Sequence, residues 1–392
     1  MTAGRMPPRT PLRVVFCHYT SDVCGGSDRS LFDIVTHLPN DRFAPSVILK
    51  TGDPMAARYR AHGVSVVELP LVSPRKALEP AKLLRFFLAY PASVMRVART
   101  IRRLNADVVH VNTLYNVVGP VAARLAGRPL VWHVREMGEE SRAVWILLRM
   151  APRMATRVIA ISSAVADSMR DGGSRVRTIL NGIDLSEYDE LPQPDSLRAA
   201  LGIPFDAPVV TTVGRLEPWK GQHVFVEAIP PILERYPETR FLVVGGPALN
   251  KPEYAPMLRR RCEELGVAKQ ALFTGVRSDI PAVLAASNVL VLPSATPEPF
   301  GRTVVEAMAA RCPVVATAAG GPLETVADGE TGYLVAANDP AAIAGKVNAV
   351  LDDPSAARVM GEKGRARAYE HFSLTRLVRE VGDLLEEAAR CG

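Results

Sequence analysis

Glu298 and Glu306 stand eight positions apart, with Pro299-Phe300-Gly301 directly after the first of them. The run from Asn288 to Pro293 reads as a buried parallel strand and that from Arg302 to Ala310 as a helix, so Glu298 falls in a loop and Glu306 early in the helix. N–H groups opening a helix lack internal partners and carry the positive end of its dipole, which suits a phosphate. Carboxylates beside such a site can accept hydrogen bonds from sugar hydroxyls without a metal. Arg215 and Lys220 closely follow another strand and could converge on one phosphate. A diphosphate leaving group needs a divalent metal or fixed cations and N–H dipoles. No Asp-x-Asp follows a strand, so this chain offers the second kind. Together these residues point to nucleotide-sugar chemistry, with Arg215 and Lys220 as solvated loop cations and an Arg302–Glu306 helix pair as the bland alternatives.

The stretch from Glu298 to Glu306 resembles the paired-glutamate signature of family 4 of the retaining glycosyltransferases, and the tract Val213-Gly214-Arg215-Leu216-Glu217-Pro218-Trp219-Lys220-Gly221 strengthens the likeness, which extends over nearly the whole chain. The resemblance implies the GT-B fold, an α/β architecture of two doubly wound Rossmann-like domains facing an interdomain cleft. It makes Gly214, Arg215 and Lys220 donor-diphosphate residues, sets Glu306 on the ribose hydroxyls and Glu298 on the transferred sugar, and brings Phe300, Gly301, Arg302 and Thr303 to the donor. It places Val276 and Arg277 in the loop near the nucleobase, although Arg277 reads equally well as a surface cation. Gly25 and Gly26 fall in the loop that family members hold near the donor phosphates, and His133 matches a histidine that contacts the transferred sugar. In the retaining reaction so implied, a leaving phosphate oxygen takes the acceptor proton, and His133 orients the sugar rather than acting as a base. Catalytic weight is thus expected on His133, Arg215, Lys220 and Glu298, with no metal and no cofactor beyond a UDP- or GDP-type sugar co-substrate. Asn181-Gly182-Ile183-Asp184 also matches a family tract but reads physically as a tight turn. Gly320-Gly321-Pro322-Leu323-Glu324 departs from the usual order, which leaves the role of Glu324 open.

The elements that would hold these residues alternate. Leu12 to His18 reads as a strand and Ser27 to Leu38 as a helix capped by Ser27 or Asp28. Short apolar strands then recur at 47–50, 64–69, 108–111, 130–134, 158–161 and 176–180, a parallel-sheet pattern. A Pro, Asp and Glu-rich stretch from Asp189 reads as a linker, after which a second alternating series runs from Val209 to Val335. The expected division is an acceptor-side domain over 1–188, linker and donor domain over 189–370, and a final amphipathic helix over 371–392 that the resemblance returns to the first domain.

At 392 residues and 48% hydrophobic content, the chain is large enough for two cores. Five cysteines, at positions 17, 24, 262, 312 and 391, show no C-x-x-C spacing and fit a reducing cytoplasm. The first residues lack the apolar centre of a secretory signal, and no stretch approaches the ~20 apolar residues of a membrane span. A net charge of +6 implies an anionic partner. Between Pro74 and Leu104, basic residues at 75, 76, 82, 85, 96, 99, 102 and 103 face one acid, Glu79, and interleave with apolar residues. Two readings stand for this segment, which is expected to break near Pro91. One is attachment to an anionic membrane surface, placing the protein peripherally at the inner face of the membrane with a lipid-linked acceptor; the other is a pair of packed helices with a solvated basic face and a small-molecule acceptor. A nucleotide-sugar epimerase or phosphorylase would need extra acid and base groups or a cofactor lysine, neither of which is identifiable. A basic nucleic-acid- or membrane-binding protein would not require the four charged residues to coexist, and no nucleic-acid motif is present. A dinucleotide-binding dehydrogenase lacks its G-x-G-x-x-G.

Overall fold

The computed structural model describes residues 10–18, 25–72, 80–137, 142–169, 172–248 and 251–391. Cys24, Arg75, Lys76 and Glu79 lie outside them, as do the side chains of Lys82, Leu83 and Arg85. Two compact units emerge, one of Met1–Gly182 with Leu374–Gly392 and one of Ile183–Ser373. The change of unit falls earlier than the composition shift at Asp189: no turn forms at Asn181-Gly182, and Ile183 already donates to the Phe372 carbonyl at 2.9 Å and pairs with Ser373 in the second unit.

In the first unit the strands are β1 (Leu12–Cys17), β2 (Phe43–Lys50), β3 (Ser65–Leu69), β4 (Val108–Asn112), β5 (Leu130–Val134), β6 (Arg157–Ala160) and β7 (Val176–Thr178). They pair in parallel in the order β3-β2-β1-β4-β5-β6-β7. β4 and β5 are buried at every position, as expected of strands covered by helices on both faces. The register sets Cys17 against Val111 and Asn112 against His133, so the ends of β1, β4 and β5 lie side by side.

Helix Gly26–His37 is capped at Gly25, not at Ser27 or Asp28. Asp28, three residues on, reaches back to accept the Gly25 N–H at 2.6 Å, and glycine allows the extended entry with no side chain in the way. The basic segment also departs from expectation, because Pro80–Arg103 is one helix that continues through Pro91. Proline there removes one N–H and crowds the carbonyl of Phe87, but Phe87 and Pro91 are exposed, so water can serve that carbonyl. Val94, Val97, Ala98 and Ile101 are all buried, and at about 1.5–3 kcal/mol for each fully buried larger side chain they outweigh the roughly 3 kcal/mol a proline costs. Helix Leu374–Arg390 contributes Leu377, Val381 and Leu385, all fully buried, to the same core as Leu31, Ile34 and Phe43.

The second unit holds β8 (Val209–Val213), β9 (Arg240–Val244), β10 (Ala271–Gly275), β11 (Val289–Leu292), β12 (Val314–Thr317) and β13 (Tyr333–Val335), parallel in the order β10-β9-β8-β11-β12-β13. Its core divides between the two faces of the sheet, one centred on Phe225, Phe241 and Val291 and the other on Val209, Leu242 and Val283. Strand order reverses between β1 and β4 in the first unit and between β8 and β11 in the second, and such reversals open a ligand crevice beyond the carboxyl ends of the strands.

Candidate active site

β8 and β11 deliver the charged residues of the second unit to its reversal point. After β8 the chain makes a short turn, Pro218–Lys220, closed by Gly221 at φ 69°, where a Cβ would lie 1.8 Å from the Pro293 carbonyl oxygen. Only glycine permits that approach, which seats the turn against the end of β11, where the Ala295 N–H donates to the Trp219 carbonyl at 2.9 Å. Lys220 Nζ, 4.2 Å from the centroid of the Trp219 ring, thereby reaches Glu298 and donates to Oε1 at 2.9 Å and Oε2 at 2.8 Å. Ser294 Oγ donates to Glu298 Oε2 at 3.0 Å. Glu298 is buried, so its charge rests on these donors. Arg215, which also follows β8, is half-exposed and pairs with Glu217 at 2.9 Å, while Gln222 donates to its carbonyl at 3.0 Å.

A second clamp sits beneath the Glu298–Gly301 loop. Gly320 has φ 75°, and a Cβ there would lie 2.2 Å from the Glu298 carbonyl oxygen; one on Gly321 would lie 2.3 Å from Phe300 Cα. The Gly321 N–H donates to the Glu298 carbonyl at 2.7 Å, and Glu298 N–H to Ala319 at 3.2 Å. The Phe300 ring stacks edge-on against Phe372, with centroids 5.9 Å apart. Gly301, at φ 85°, starts helix Arg302–Ala309, whose first N–H groups, including those of Arg302 and Thr303, open beside the loop. Glu306 is buried and accepts from Arg302 Nε at 2.9 Å, so the helix pair weighed against a ligand role does form. Val276 is 77% exposed at the end of β10 on the sheet edge, and Arg277 beside it pairs with Asp279, pulling that carboxyl below its ordinary range. Lys220 and Glu298 are thus brought into contact, Gly320 and Gly321 fix the loop between Glu298 and Gly301, and Val276 and Arg277 stand two strands from β8.

At the other reversal point the ends of β1, β4 and β5 carry a buried polar chain. Arg135 Nε donates to Asn112 Oδ1 at 2.7 Å, which fixes the amide so that Asn112 Nδ2 donates to His18 Nδ1 at 3.1 Å. His18 then holds its proton on Nε2 and donates it to Asp28 Oδ1 at 2.6 Å, while Asp28 Oδ2 accepts the Gly25 N–H. Asn181 Oδ1 accepts from Arg135 Nη1 at 3.0 Å and from Ser30 Oγ at 3.2 Å, tying Asn181 into the same network. His133 is fully buried with Nδ1 3.2 Å from His110 Nε2, and its own Nε2 has no hydrogen-bond partner among the described residues. Burial, the Arg135 guanidinium and His110 hold His133 well below the usual imidazole range; burial, Arg135 and His18 hold His110 down at about 3. Both rings are neutral near pH 7, so His133 can offer a hydrogen bond but not a positive charge.

His18, Asn112, Asn181 and Ser294 join these networks, although the sequence reading gave none of them a site role. A polar residue closing a mostly apolar strand was the available signal for the first two, and the Asn181 family tract the signal for the third. Among the described residues, no group of three or more His, Cys, Asp or Glu is arranged to hold a metal ion.

Known proteins resemble this chain in sequence and in fold. The family described as glycosyl transferases group 1 matches residues 194–367, and glycosyltransferase family 4 matches residues 24–187. An alpha-maltose-1-phosphate synthase of Mycolicibacterium smegmatis is 33% identical over 72% of this chain and 80% of its own length. A D-inositol 3-phosphate glycosyltransferase of Corynebacterium urealyticum is 35% identical over 55% of this chain, and the match spans about half of that relative, 53%. The crystal structure of Anabaena HepE in complex with UDP and glucose superposes with a TM-score of 0.82 at 28% identity, covering 96% of this chain and all of that one.

Proposed function

Because the chain belongs to the family 4 glycosyltransferases and has their GT-B fold, we propose that it transfers a sugar from a nucleoside diphosphate to an acceptor hydroxyl, with retention at the anomeric carbon and without a metal ion. The observation that carries this reading is the Lys220–Glu298 pair beside Arg215 at the reversal point of the second sheet. Both cations rest on carboxylates, Arg215 on Glu217 and Lys220 on Glu298. A donor diphosphate offers denser negative charge and takes them over, leaving Glu298 to accept from hydroxyls of the transferred sugar. The opening N–H groups of helix Arg302–Ala309 add partial positive charge along the diphosphate, and Gly214, whose N–H is held by the Val244 carbonyl, leaves room for it by having no side chain. Glu306 accepts the ribose hydroxyls, and the loop of Val276 and Arg277 lies toward the nucleobase. The UDP and glucose bound to Anabaena HepE support a uridine donor.

Transfer breaks the bond from the anomeric carbon to the phosphate oxygen and forms one to the acceptor oxygen on the same face. The acceptor proton passes to the departing phosphate oxygen, so no protein base is required. Arg215 and Lys220 stabilise the charge that grows on the diphosphate, where a preorganised donor has its largest effect. His133, as a neutral imidazole, orients the transferred sugar, and Gly25 and Gly26 keep the start of their helix slim where donor phosphates or acceptor approach. The acceptor is a lipid-linked or small polyhydroxylated molecule; D-inositol 3-phosphate and phosphatidylinositol monomannoside appear in the names of relatives. Screening UDP- and GDP-sugars for thermal stabilisation and slow donor hydrolysis tests the proposal. One donor class should raise the melting temperature and be hydrolysed, and Glu306→Ala should abolish both effects. Full turnover and donor affinity in Glu306→Ala would remove the assigned site.

A further inference from the structure

Helix Pro80–Arg103 is apolar on two faces. Its inner face is buried, yet Leu84, Phe87, Leu88 and Met95 are 61, 62, 74 and 39% exposed. With exposed Pro91 they recur at steps of three and four residues, which makes one outward stripe along the helix. Arg96, Arg99 and Arg103 are exposed toward its C-terminal end. Helix Arg142–Met154 repeats the pattern, burying Val144 and Leu148 while Trp145, Ile146 and Met150 are 44, 50 and 41% exposed. The Arg149 guanidinium lies 4.5 Å from the Trp145 ring centroid.

Both helices belong to one face of the first unit. The connections from β3 to β4, β4 to β5 and β5 to β6 all advance the same way across the sheet, and right-handed crossovers put their three helices on one side. The middle helix, Val118–Ala126, packs against Pro80–Arg103 and adds half-exposed Leu125. Charge is segregated as well. Neither basic helix contains an Asp or Glu, and the two contribute +9, so against a total of +6 the rest of the chain is at −3.

Single exposed apolar residues need no explanation, but two clusters of large ones rimmed by arginine on one face of a sheet mark a binding surface. A bilayer meets both demands at once. Leu, Phe, Met and Trp side chains enter the boundary of the acyl region while arginines reach lipid phosphates. No helix among the described residues is long and apolar enough to cross a membrane, so the contact is made from one side. We infer that this face of the N-terminal unit docks reversibly on an anionic phospholipid bilayer.

Co-sedimentation of the full chain with phosphatidylcholine vesicles, and with vesicles that also contain phosphatidylglycerol, tests the inference. The partition coefficient should be on the order of tenfold higher for the anionic vesicles and fall steeply with added salt. Phe87→Ser with Leu88→Ser, and separately Arg96→Glu with Arg99→Glu, should each remove most binding while leaving the melting temperature and stabilisation by nucleotide sugars unchanged. That second readout separates failure of the docking surface from failure of the glycosyl-transfer reading. Equal binding to both vesicle types, or variants that bind like the parent chain, would overturn the inference. So would a self-associating parent chain that the Phe87→Ser, Leu88→Ser variant converts to monomer, since the face would then join copies of the chain.

Discussion

Lys220 and Glu298 neutralise each other in a partly buried setting, so substituting one leaves the other uncompensated. Lys220→Ala should lower turnover on the order of 10²-fold, as expected of a lost fixed cation at a leaving group, and Arg215→Ala comparably. Steady-state kinetics with the matched donor checks this; a loss confined to KM would assign the two cations to ground-state binding alone. The buried imidazoles predict a pH effect on stability. Unfolded histidine titrates near ~6.5, whereas His110 in the fold is held at about 3 and His133 is also depressed. Above pH ~6.5 both states are neutral and stability is complete. As pH falls, the unfolded chain takes up protons that the fold refuses, and stability declines by up to about 1.4 kcal/mol per pH unit for each ring, continuing toward pH 3 for His110. Urea unfolding of His110→Gln between pH 6 and 4.5, roughly that window, should therefore show a shallower acid decline than the parent chain, and parallel profiles would contradict the assignment.

At the level of elements, legibility followed the physics of burial. Parallel strands covered on both faces are runs of apolar residues, so β4, β5, β8 and β11 could be read directly, and the Glu298 loop and its helix followed from their neighbours. The single helix through Pro91 was not legible, because the decisive term is tertiary packing of Val94 to Ile101 rather than the local penalty of proline. Nor was the His18–Asn112 link, whose partners are 94 residues apart and meet only through strand register. The Gly320-Gly321 clamp was visible as a motif, but its purpose depends on the backbone of Glu298 and Phe300 passing within contact. Gly320→Ala should force that backbone aside at a cost of about 1–3 kcal/mol and weaken nucleotide-sugar binding by more than tenfold. Calorimetric titration with the donor, alongside the melting temperature, would show both effects; unchanged affinity would mean that the loop tolerates the shift.

On the scale of the whole molecule, two units of similar build divide the polar chemistry, with the fixed cations in the second and the buried histidine relay in the first. The first unit is assembled from both ends of the described chain, since helix Leu374–Arg390 packs into the core formed by β1, β2 and helix Gly26–His37. Arg42 pairs with Asp383 and Glu386, and Arg157 with Glu387, but these contacts are still reached by solvent and add little beside the buried Leu377, Val381 and Leu385. Removing residues 374–392 should therefore abolish cooperative melting of the first unit while Ile183–Ser373 keeps its own transition, which scanning calorimetry can resolve. A single shared loss would contradict independent cores.

This discontinuous assembly sets an order of events during synthesis. The Ile183–Ser373 segment can close its sheet as soon as it leaves the ribosome, whereas the earlier segment must wait, its Leu31 and Phe43 uncovered, until the helix at 374–390 has been made. For that interval the nascent first unit exposes apolar surface that the finished protein conceals, and there chaperone assistance would have most to contribute.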